Sequence, residues 1–270
     1  MTGRALAAGA LAAALACTRG AEPTAPRAIV DLSHPFDAST VYWPTEEGFV
    51  LEPGFAGYTE QGYYYAANRF RAAEHGGTHI DAPLHFAAGH PSVDAIPLEQ
   101  LVGPAVLIDV SEACAADPDH AVGVAELLAD EARSGRIPDG AIVLLRTGWS
   151  SRWPDRIRYL GTDERGSAAA AKLHFPGLGA EAARWLVEAR RVHAVGLDTA
   201  SIDPGASKRF DTHQLLFAHD VPAFENLAGL ERLPARGFEV IALPMKIAGG
   251  SGGPLRAIAL LPGAGAGGTR

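Results

Sequence analysis

The sequence contains little cysteine and no excess of positive charge. Only two cysteines occur in 270 residues, Cys17 and Cys114, which is too few for a disulfide framework or a thiolate zinc site. Lysine and arginine number 23 against 31 aspartates and glutamates, a net charge of -8, so we expect no nucleic-acid partner. Hydrophobic residues make up 47% of the chain, and histidines number ten. One large folded domain is therefore expected, and the histidines are the first place to look for a site.

Residues 1–16 resemble a signal peptide. They carry one positive charge, Arg4, and then a run of Ala, Leu and Gly that is too short to span a bilayer. The small-x-small pattern at 14–16 followed by Cys17 is similar to the lipobox of bacterial lipoproteins, in which the cysteine is acylated. The pattern predicts export to the periplasm or cell surface, a lipid anchor on Cys17 as the only membrane contact, and a polar tether over 17–27. The alternative is an Ala-rich N-terminus of a cytoplasmic protein.

The rest of the chain alternates between strand and helix patterns. Two segments, 122–135 and 177–192, show the apolar spacing of helices. Runs of β-branched residues and leucine predict strands that are buried on both sides, at 28–32, 105–110, 141–148, 193–198, 240–247 and 255–261. We therefore expect a single α/β domain over 28–263 and a loose tail over 264–270.

One segment concentrates ligand-type side chains. Residues 75–86 read HGGTHIDAPLHF and place His75, His79, Asp81 and His85 within eleven positions. The glycines and the proline disfavour a helix, so we expect an extended or looped chain in which His79 and Asp81 share a face and His75 turns towards them. Two imidazoles and a carboxylate suit zinc or manganese, and such groups are costly to bury without an ion. The alternative is a set of histidines that merely cluster.

Other polar residues are weaker candidates when taken alone. His213 is more typical of a helix-surface residue than of a ligand, and Glu225 is as typical of a partly buried acid as of a ligand. His34 fits a support for the first strand or for the site better than a ligand. Four polar residues follow a predicted buried strand, where α/β proteins often bind ligands, but caps and turns explain them equally well. These four, none of which we assign a catalytic role, are Asp198, Thr199, Ser201 and Asp203.

Residues 249–253 match the Gly-x-Ser-x-Gly pattern of serine hydrolases around Ser251. In those enzymes the serine turn runs from a strand directly into a helix, whereas here Pro254 and a predicted strand follow. We therefore expect a flexible turn near the substrate instead of a nucleophile.

The motif at 75–86 resembles the His-x-Gly-Thr-His-x-Asp-x-Pro-x-His signature of the cyclase family, which includes bacterial kynurenine formamidases and isatin hydrolases. The resemblance continues through segments at 31–35, 144–149, 196–205, 213–227 and 243–262. It implies a swivelling β/β/α-like fold, with a mixed β-sheet core and flanking helices in one domain. It also implies a homodimer or a larger homo-oligomer.

The resemblance implies roles for the residues of the motif. In the family the first two histidines and the aspartate bind metal, which carries over to His75, His79 and Asp81. The last histidine of the motif is the family's catalytic acid/base, which carries over to His85.

The resemblance also completes the metal site. A histidine and a glutamate twelve residues later are further ligands in the formamidases, and His213 and Glu225 stand at that separation. Isatin hydrolases differ at the positions of a second metal. The resemblance therefore fits a site for one ion as well as a site for two, with Zn²⁺ or Mn²⁺ as the metal.

These roles predict a metal-dependent hydrolase that cleaves the C–N amide bond of a small cyclic or aryl amide, similar to isatin or an N-formyl aniline. Activated water would attack, with His85 as general acid and base. The alternative is a lipid-anchored protein that binds a metal or ligand without catalysis, in which His85 would be another ligand.

Aromatic residues precede the metal motif. They fall at 42–43 and 63–65 and offer flat faces for an aromatic substrate, for which we select Tyr42, Trp43 and Tyr65. Aromatics of the core or of a dimer contact are an equal alternative.

Overall fold

The structure is a computed structural model that describes residues 28–263. The predicted signal peptide, Cys17 with its tether, and the tail over 264–270 lie outside the described residues. In chain order the strands are β1 (Ile29–Asp31), β2 (Val50–Glu52), β3 (Ala56–Tyr58), β4 (Tyr64–Ala66), β5 (Arg69–Arg71), β6 (His79–Asp81), β7 (Val102–Asp109), β8 (Ala121–Val122), β9 (Ile142–Arg146), β10 (Gly177–Leu178), β11 (Ala194–Leu197), β12 (Ala223–Glu225), β13 (Phe238–Pro244) and β14 (Gly252–Leu260). The helices are α1 (Ser111–Ala116), α2 (Val124–Ser134), α3 (Arg156–Leu160), α4 (Ala180–Arg190) and α5 (Asp211–Phe217).

Eight strands form a mixed sheet in the order β1-β14-β13-β7-β9-β11-β12-β6. The pairs among β7, β9, β11 and β12 are parallel, and the remaining pairs are antiparallel. The first residues of β14 also pair with β6, while its last residues pair with β1. The sheet therefore closes on itself, and β6 lies between β12 and β14.

Two hydrophobic cores lie on opposite faces of the closed sheet. Alternate residues of a strand point to opposite faces, and in β9 Ile142 and Leu144 belong to the inner core while Val143 and Leu145 belong to the outer one. The outer core packs against α2, α4 and α5. Both faces of the parallel strands are therefore covered.

The predicted α/β fold with a mixed sheet and flanking helices is confirmed. All six predicted strands and both predicted helices are present, with shorter bounds in several cases. The prediction that all six strands are buried on both sides was wrong. In β1 and β13 the burial alternates, and Ile29 is 62% exposed and Leu243 46% exposed. These strands belong to the antiparallel part of the sheet, one face of which meets solvent.

A long hairpin interrupts the chain between β1 and β6. Strand β2 pairs with β5 and β3 pairs with β4, and within the described residues neither two-stranded sheet joins the central sheet. We call residues 50–71 the hairpin arm. No helix within residues 28–263 combines the length and the hydropathy that a membrane span requires.

Candidate metal centre

Three elements bring four donor side chains to one point. Strand β6 carries His79 and Asp81, which share a face as predicted and are both buried. Its partner β12 places Glu225 directly opposite His79. Helix α5 contributes His213. The point lies beyond the carboxyl ends of the parallel strands β11 and β12, where α/β folds commonly bind ligands.

The separations of the donor atoms fit a bound ion. His79 Nε2 lies 3.2 Å from Asp81 Oδ1 and 3.5 Å from Glu225 Oε2. His213 Nε2 lies 3.2 Å from the other Asp81 oxygen and 3.3 Å from Glu225 Oε1. Two donors that share one ion at about 2.1 Å lie roughly 3.0 to 3.5 Å apart in tetrahedral or octahedral geometry. His79, Asp81 and Glu225 therefore fit one divalent cation, and His213 contacts the remaining oxygens of the same two carboxylates.

The charge of the cluster also fits a cation. Asp81 and Glu225 are 1% and 3% exposed, and no lysine or arginine is among the described residues that line the cavity beside them. Burial alone would lower the pKa of His213, but its contacts with carboxylates raise that pKa well above the ordinary value. Burial and the nearby Asp81 carboxylate raise the pKa of Glu225. Buried carboxylates in such a cluster need protons or a metal ion to balance them.

His75 joins the cluster from the side through a glycine turn. Gly77 has a φ of +58°, and a β-carbon at Gly76 would lie 2.1 Å from the Tyr42 ring, so both positions require glycine. The turn brings His75 Nδ1 to 2.6 Å from Asp81 Oδ1.

His85 stands at the open side of the cluster. It ends the 3-10 turn Pro83–His85, is partly exposed, and stacks on His75 with ring centroids 3.8 Å apart. Its ring nitrogens have no hydrogen-bond partner within residues 28–263. Burial lowers the pKa of His85 to about 4, against the opposing effect of the Asp81 carboxylate, so the ring is neutral at pH 7. One of its nitrogens also lies within 4.8 Å of donor atoms of His75 and Asp81.

Backbone amides and a second carboxylate hold the buried ligands. Asp203 accepts hydrogen bonds from Thr212 N and His213 N, and its Oδ2 lies 2.6 Å from His213 Nδ1. The amide of Ile202 donates to Glu225 Oε1 at 2.7 Å. Carboxylates that orient a ligating imidazole in this way are typical of metal sites.

An aromatic cavity of about 230 Å³ opens onto the cluster. Trp43, Phe86 and Phe210 line it and contact one another through Phe210, with ring centroids 6.1 and 5.3 Å apart. Tyr42 also lines the cavity. Tyr65 does not: it lies on β4 of the hairpin arm, 51% exposed and stacked on Phe55. The structure therefore separates Tyr65 from the other two aromatics selected in the sequence.

Several residues that contact the cluster or line the cavity were missed in the sequence or given no role. Asp203 was noticed, but nothing in the sequence pairs it with His213. Phe86 and Phe210 were not selected, although Phe86 directly follows His85. Ser251 was predicted to lie in a turn near the substrate, and its Oγ lies 2.9 Å from His75 Nε2. Strand β14 begins at the next residue, so no helix follows the serine.

His34 is not a donor of the cluster. Its backbone amide donates to Thr78 Oγ1 at 2.8 Å, and its ring stacks on Trp153 with centroids 4.2 Å apart. Thr78 in turn donates to the carbonyl of Asn226, which follows Glu225. His34 therefore supports the strands that carry the ligands.

Comparison with known proteins gives the family. The Cyclase family model, described as "Putative cyclase", matches residues 30–204. The chain belongs to the cyclase family. The isatin hydrolase of Roseibium aggregatum is 35% identical over 213 residues, which cover 76% of this chain and 78% of that protein. The kynurenine formamidase of Polaromonas naphthalenivorans is 30% identical over 232 residues, which cover 85% of this chain and 89% of that protein.

A solved structure of the cyclase family extends the match in three dimensions. Isatin hydrolase A from Ralstonia solanacearum superposes with a TM-score of 0.77 at 37% identity, covering 87% of this chain and 92% of that one. The family and the fold predicted from the sequence are thus confirmed. The family model ends before His213 and Glu225, whose convergence with the motif is seen in the structure.

Proposed function

We propose that this chain is a metal-dependent hydrolase that cleaves the C–N bond of a cyclic or aryl amide. The observation that carries the proposal is the convergence of four buried donor side chains, at separations typical of metal ligands, beside an aromatic cavity. The relatives named isatin hydrolase and kynurenine formamidase support the class of substrate. The alternative without catalysis has no such support.

The ligands of the proposed ion are His75, His79, Asp81, His213 and Glu225. Imidazole and carboxylate donors without a thiolate suit Zn²⁺ or Mn²⁺. When bound, such an ion polarises a carbonyl and lowers the pKa of water towards neutrality. His75 Nδ1 lies 2.6 Å from Asp81 Oδ1, so His75 joins the other four ligands through Asp81, and the donor set admits one ion or two neighbouring ions.

His85 serves as the general base and acid. Its neutral ring at pH 7 can accept the proton of the attacking water and return it to the departing nitrogen. Its free nitrogens and its place between the cluster and the cavity support this role.

The aromatic wall binds the ring of the substrate. Trp43, Phe86 and Phe210 offer apolar faces that suit a flat aryl group, and Tyr42 lies beside them. Because the cavity is small, a single substituted ring or a fused two-ring amide is the expected substrate.

A metal-replacement assay tests the proposal. Metal-stripped protein is expected to hydrolyse neither isatin nor N-formylkynurenine, and addition of Zn²⁺ or Mn²⁺ should restore turnover of at least one. Bound metal should be counted in the same samples, with at least one ion per chain expected. Turnover of an amide by fully stripped protein, or metal-loaded protein that turns over no amide, would overturn the proposal.

A serine nucleophile is the competing mechanism. The contacts Ser251–His75–Asp81 follow the order of a hydrolytic triad. However, the Ser251 hydroxyl donates to Glu74 Oε2 at 2.6 Å, which leaves it poorly placed to transfer its proton to His75. Ser251→Ala is expected to retain measurable turnover, and complete loss with bound metal unchanged would favour the nucleophile.

We also propose that the hairpin arm mediates self-association. Seven of its large hydrophobic side chains are more than half exposed: Leu51, Phe55, Tyr58, Tyr63, Tyr64, Tyr65 and Phe70. Such patches commonly mark interfaces, and an isolated hairpin is only marginally stable. Sedimentation is expected to give a dimer or larger, and Tyr58→Glu with Tyr64→Glu should dissociate it. A monomeric native protein would contradict the proposal.

For residues 1–17 we propose export and acylation of Cys17. The order of charge, apolar run, small residues and cysteine supports it. Labelled palmitate should be incorporated by the native chain and not by Cys17→Ala. Equal labelling of both proteins would exclude the anchor.

A further inference from the structure

We propose that the Ser201 hydroxyl donates a hydrogen bond to an oxygen of the substrate other than that of the scissile carbonyl. This inference rests on the proposed function, and it concerns recognition of the substrate at the same cavity. The starting observation is a buried hydroxyl without a partner: Ser201 is 3% exposed, and its Oγ has no hydrogen-bond partner within residues 28–263.

The position of Ser201 points to a ligand. It lines the aromatic cavity. The amide of the next residue, Ile202, donates to Glu225, and the Ser201 carbonyl accepts from Thr199 Oγ1 at 3.0 Å. The backbone around Ser201 is thus fixed against the metal centre, while its side chain is left unused. A buried polar group without a partner is costly, so such groups in native proteins usually serve a ligand or water.

The buried metal ligands and Asn226 in the wall of the cavity are already engaged. His79, Asp81, His213 and Glu225 contact one another, and Asn226 bonds to Tyr159 and Gly77. Among the described lining residues, only Tyr42 shares with Ser201 a buried side-chain atom that lacks a partner. The Tyr42 ring packs against Gly76 on the motif side of the cavity, whereas Ser201 lies on the loop beside Glu225.

The chemistry of a hydroxyl selects the kind of substrate group. A neutral hydroxyl donates readily to a carbonyl oxygen. In the proposed reaction the scissile carbonyl is the group that the ion polarises, so the Ser201 hydroxyl is available to a second oxygen. The preferred substrate is therefore an aryl amide that carries another carbonyl close to the scissile bond, and an amide without it should bind less well.

The test compares Ser201→Ala with the native protein on amides with and without a second oxygen. Isatin and 2-formamidoacetophenone carry it, and formanilide does not. On whichever of the first two the native protein hydrolyses, Ser201→Ala should raise KM by about 10- to 100-fold with a smaller change in kcat. Its KM for formanilide and its bound metal should match the native values. Ser151→Ala, at an exposed serine that bonds to Gly148 O, should change nothing.

Thermal stability separates recognition from a structural role. Because Ser201 Oγ has no partner within the fold, the apo form of Ser201→Ala should melt at the same temperature as the native apo protein or higher. An unchanged KM, an equal loss on formanilide, or a lower melting temperature with loss of metal would overturn the inference. Native protein that hydrolyses none of the three amides would instead refute the proposed function, and the inference with it.

Discussion

The cluster has two parts that meet at one centre and are held in different ways. The motif group consists of His75, His79, Asp81 and His85. The distal group consists of Asp203, His213 and Glu225, each of which is 3% exposed. Backbone amides fix the two distal carboxylates, whereas the His75 side chain is 21% exposed and His85 has no hydrogen-bond partner among the described residues. The distal group is therefore held rigidly around its ligands, while the motif group supplies further ligands and also reaches towards the substrate through His85.

Asp81 joins the two groups, so its loss should break both. Asp81→Asn removes the charge that contacts His75, His79 and His213. We expect loss of bound metal and a fall in turnover of at least about 1000-fold, because the ion supplies several kcal/mol of transition-state stabilisation. Elemental analysis and an amide hydrolysis assay measure the two effects. Asp220→Asn, at an exposed acid paired with His90, is the control. Full metal content with near-native turnover in Asp81→Asn would contradict the shared role.

A change at Asp203 should act on the distal group alone. Asp203→Asn removes the carboxylate that orients His213, and metal affinity should fall about 10- to 100-fold. Because the motif group is intact, excess metal should restore most of the turnover. Titration of metal-stripped protein measures the affinity. If saturating metal leaves Asp203→Asn inactive, the distal group takes part in more than holding the ion.

The wall of the cavity should affect substrate binding without affecting metal. Trp43→Ala removes an aromatic face, and we expect KM for the amide to rise about 10-fold, since about 1.4 kcal/mol of ring contact is lost. Tyr65→Ala on the hairpin arm should change KM less than twofold. Steady-state kinetics on both variants provides the comparison. A KM for Tyr65→Ala as high as that of Trp43→Ala would show that the hairpin arm takes part in substrate binding.

Outside both groups, His34 should give a pH effect on stability alone. Burial lowers the pKa of His34 to about 4, against a smaller opposing effect of Asp31. The unfolded chain, with a histidine pKa of about 6.5, then binds the proton first, so stability present above that pH is lost as pH falls towards 4. Between pH 7 and pH 5 the free energy of unfolding should fall by about 1 to 2 kcal/mol more for the native protein than for His34→Gln. Equal losses in denaturant unfolding would show that His34 does not titrate in this way.

The two groups also differ in how far the sequence alone predicts them. The motif group lies within eleven positions, and the glycines and proline around it exclude a helix, so the shared face of His79 and Asp81 follows from the geometry of a strand. The distal residues lie on β12, on α5 and in the loop between β11 and α5, and only the tertiary fold brings them to the motif. His213 and Glu225 were therefore expected only through the family resemblance.

The other differences between the sequence predictions and the structure also arise from contacts that form only in the tertiary fold. Asp203 looks like a turn residue in the sequence, because its partner His213 lies on another element. Nothing in the sequence shows that the Ser201 hydroxyl is buried without a partner. The exposed faces of β1 and β13 could not be predicted, since apolar runs do not show whether the neighbouring strands are parallel. Tyr42 and Tyr65 both belong to aromatic groups that precede the metal motif, so the sequence does not distinguish them. The structure places Tyr42 in the wall of the cavity and Tyr65 on the hairpin arm.

Turnover and bound metal, measured on the same preparation of His85→Ala, test whether His85 carries out the chemistry while the other residues of the cluster hold the ion. His219→Ala, at an exposed histidine bonded to Leu215 O, is the matched control and should behave as the native protein. His85→Ala should keep the native metal content and lose about 10²- to 10⁴-fold in kcat. Near-native turnover would remove His85 from the mechanism, and loss of metal together with activity would make His85 a ligand.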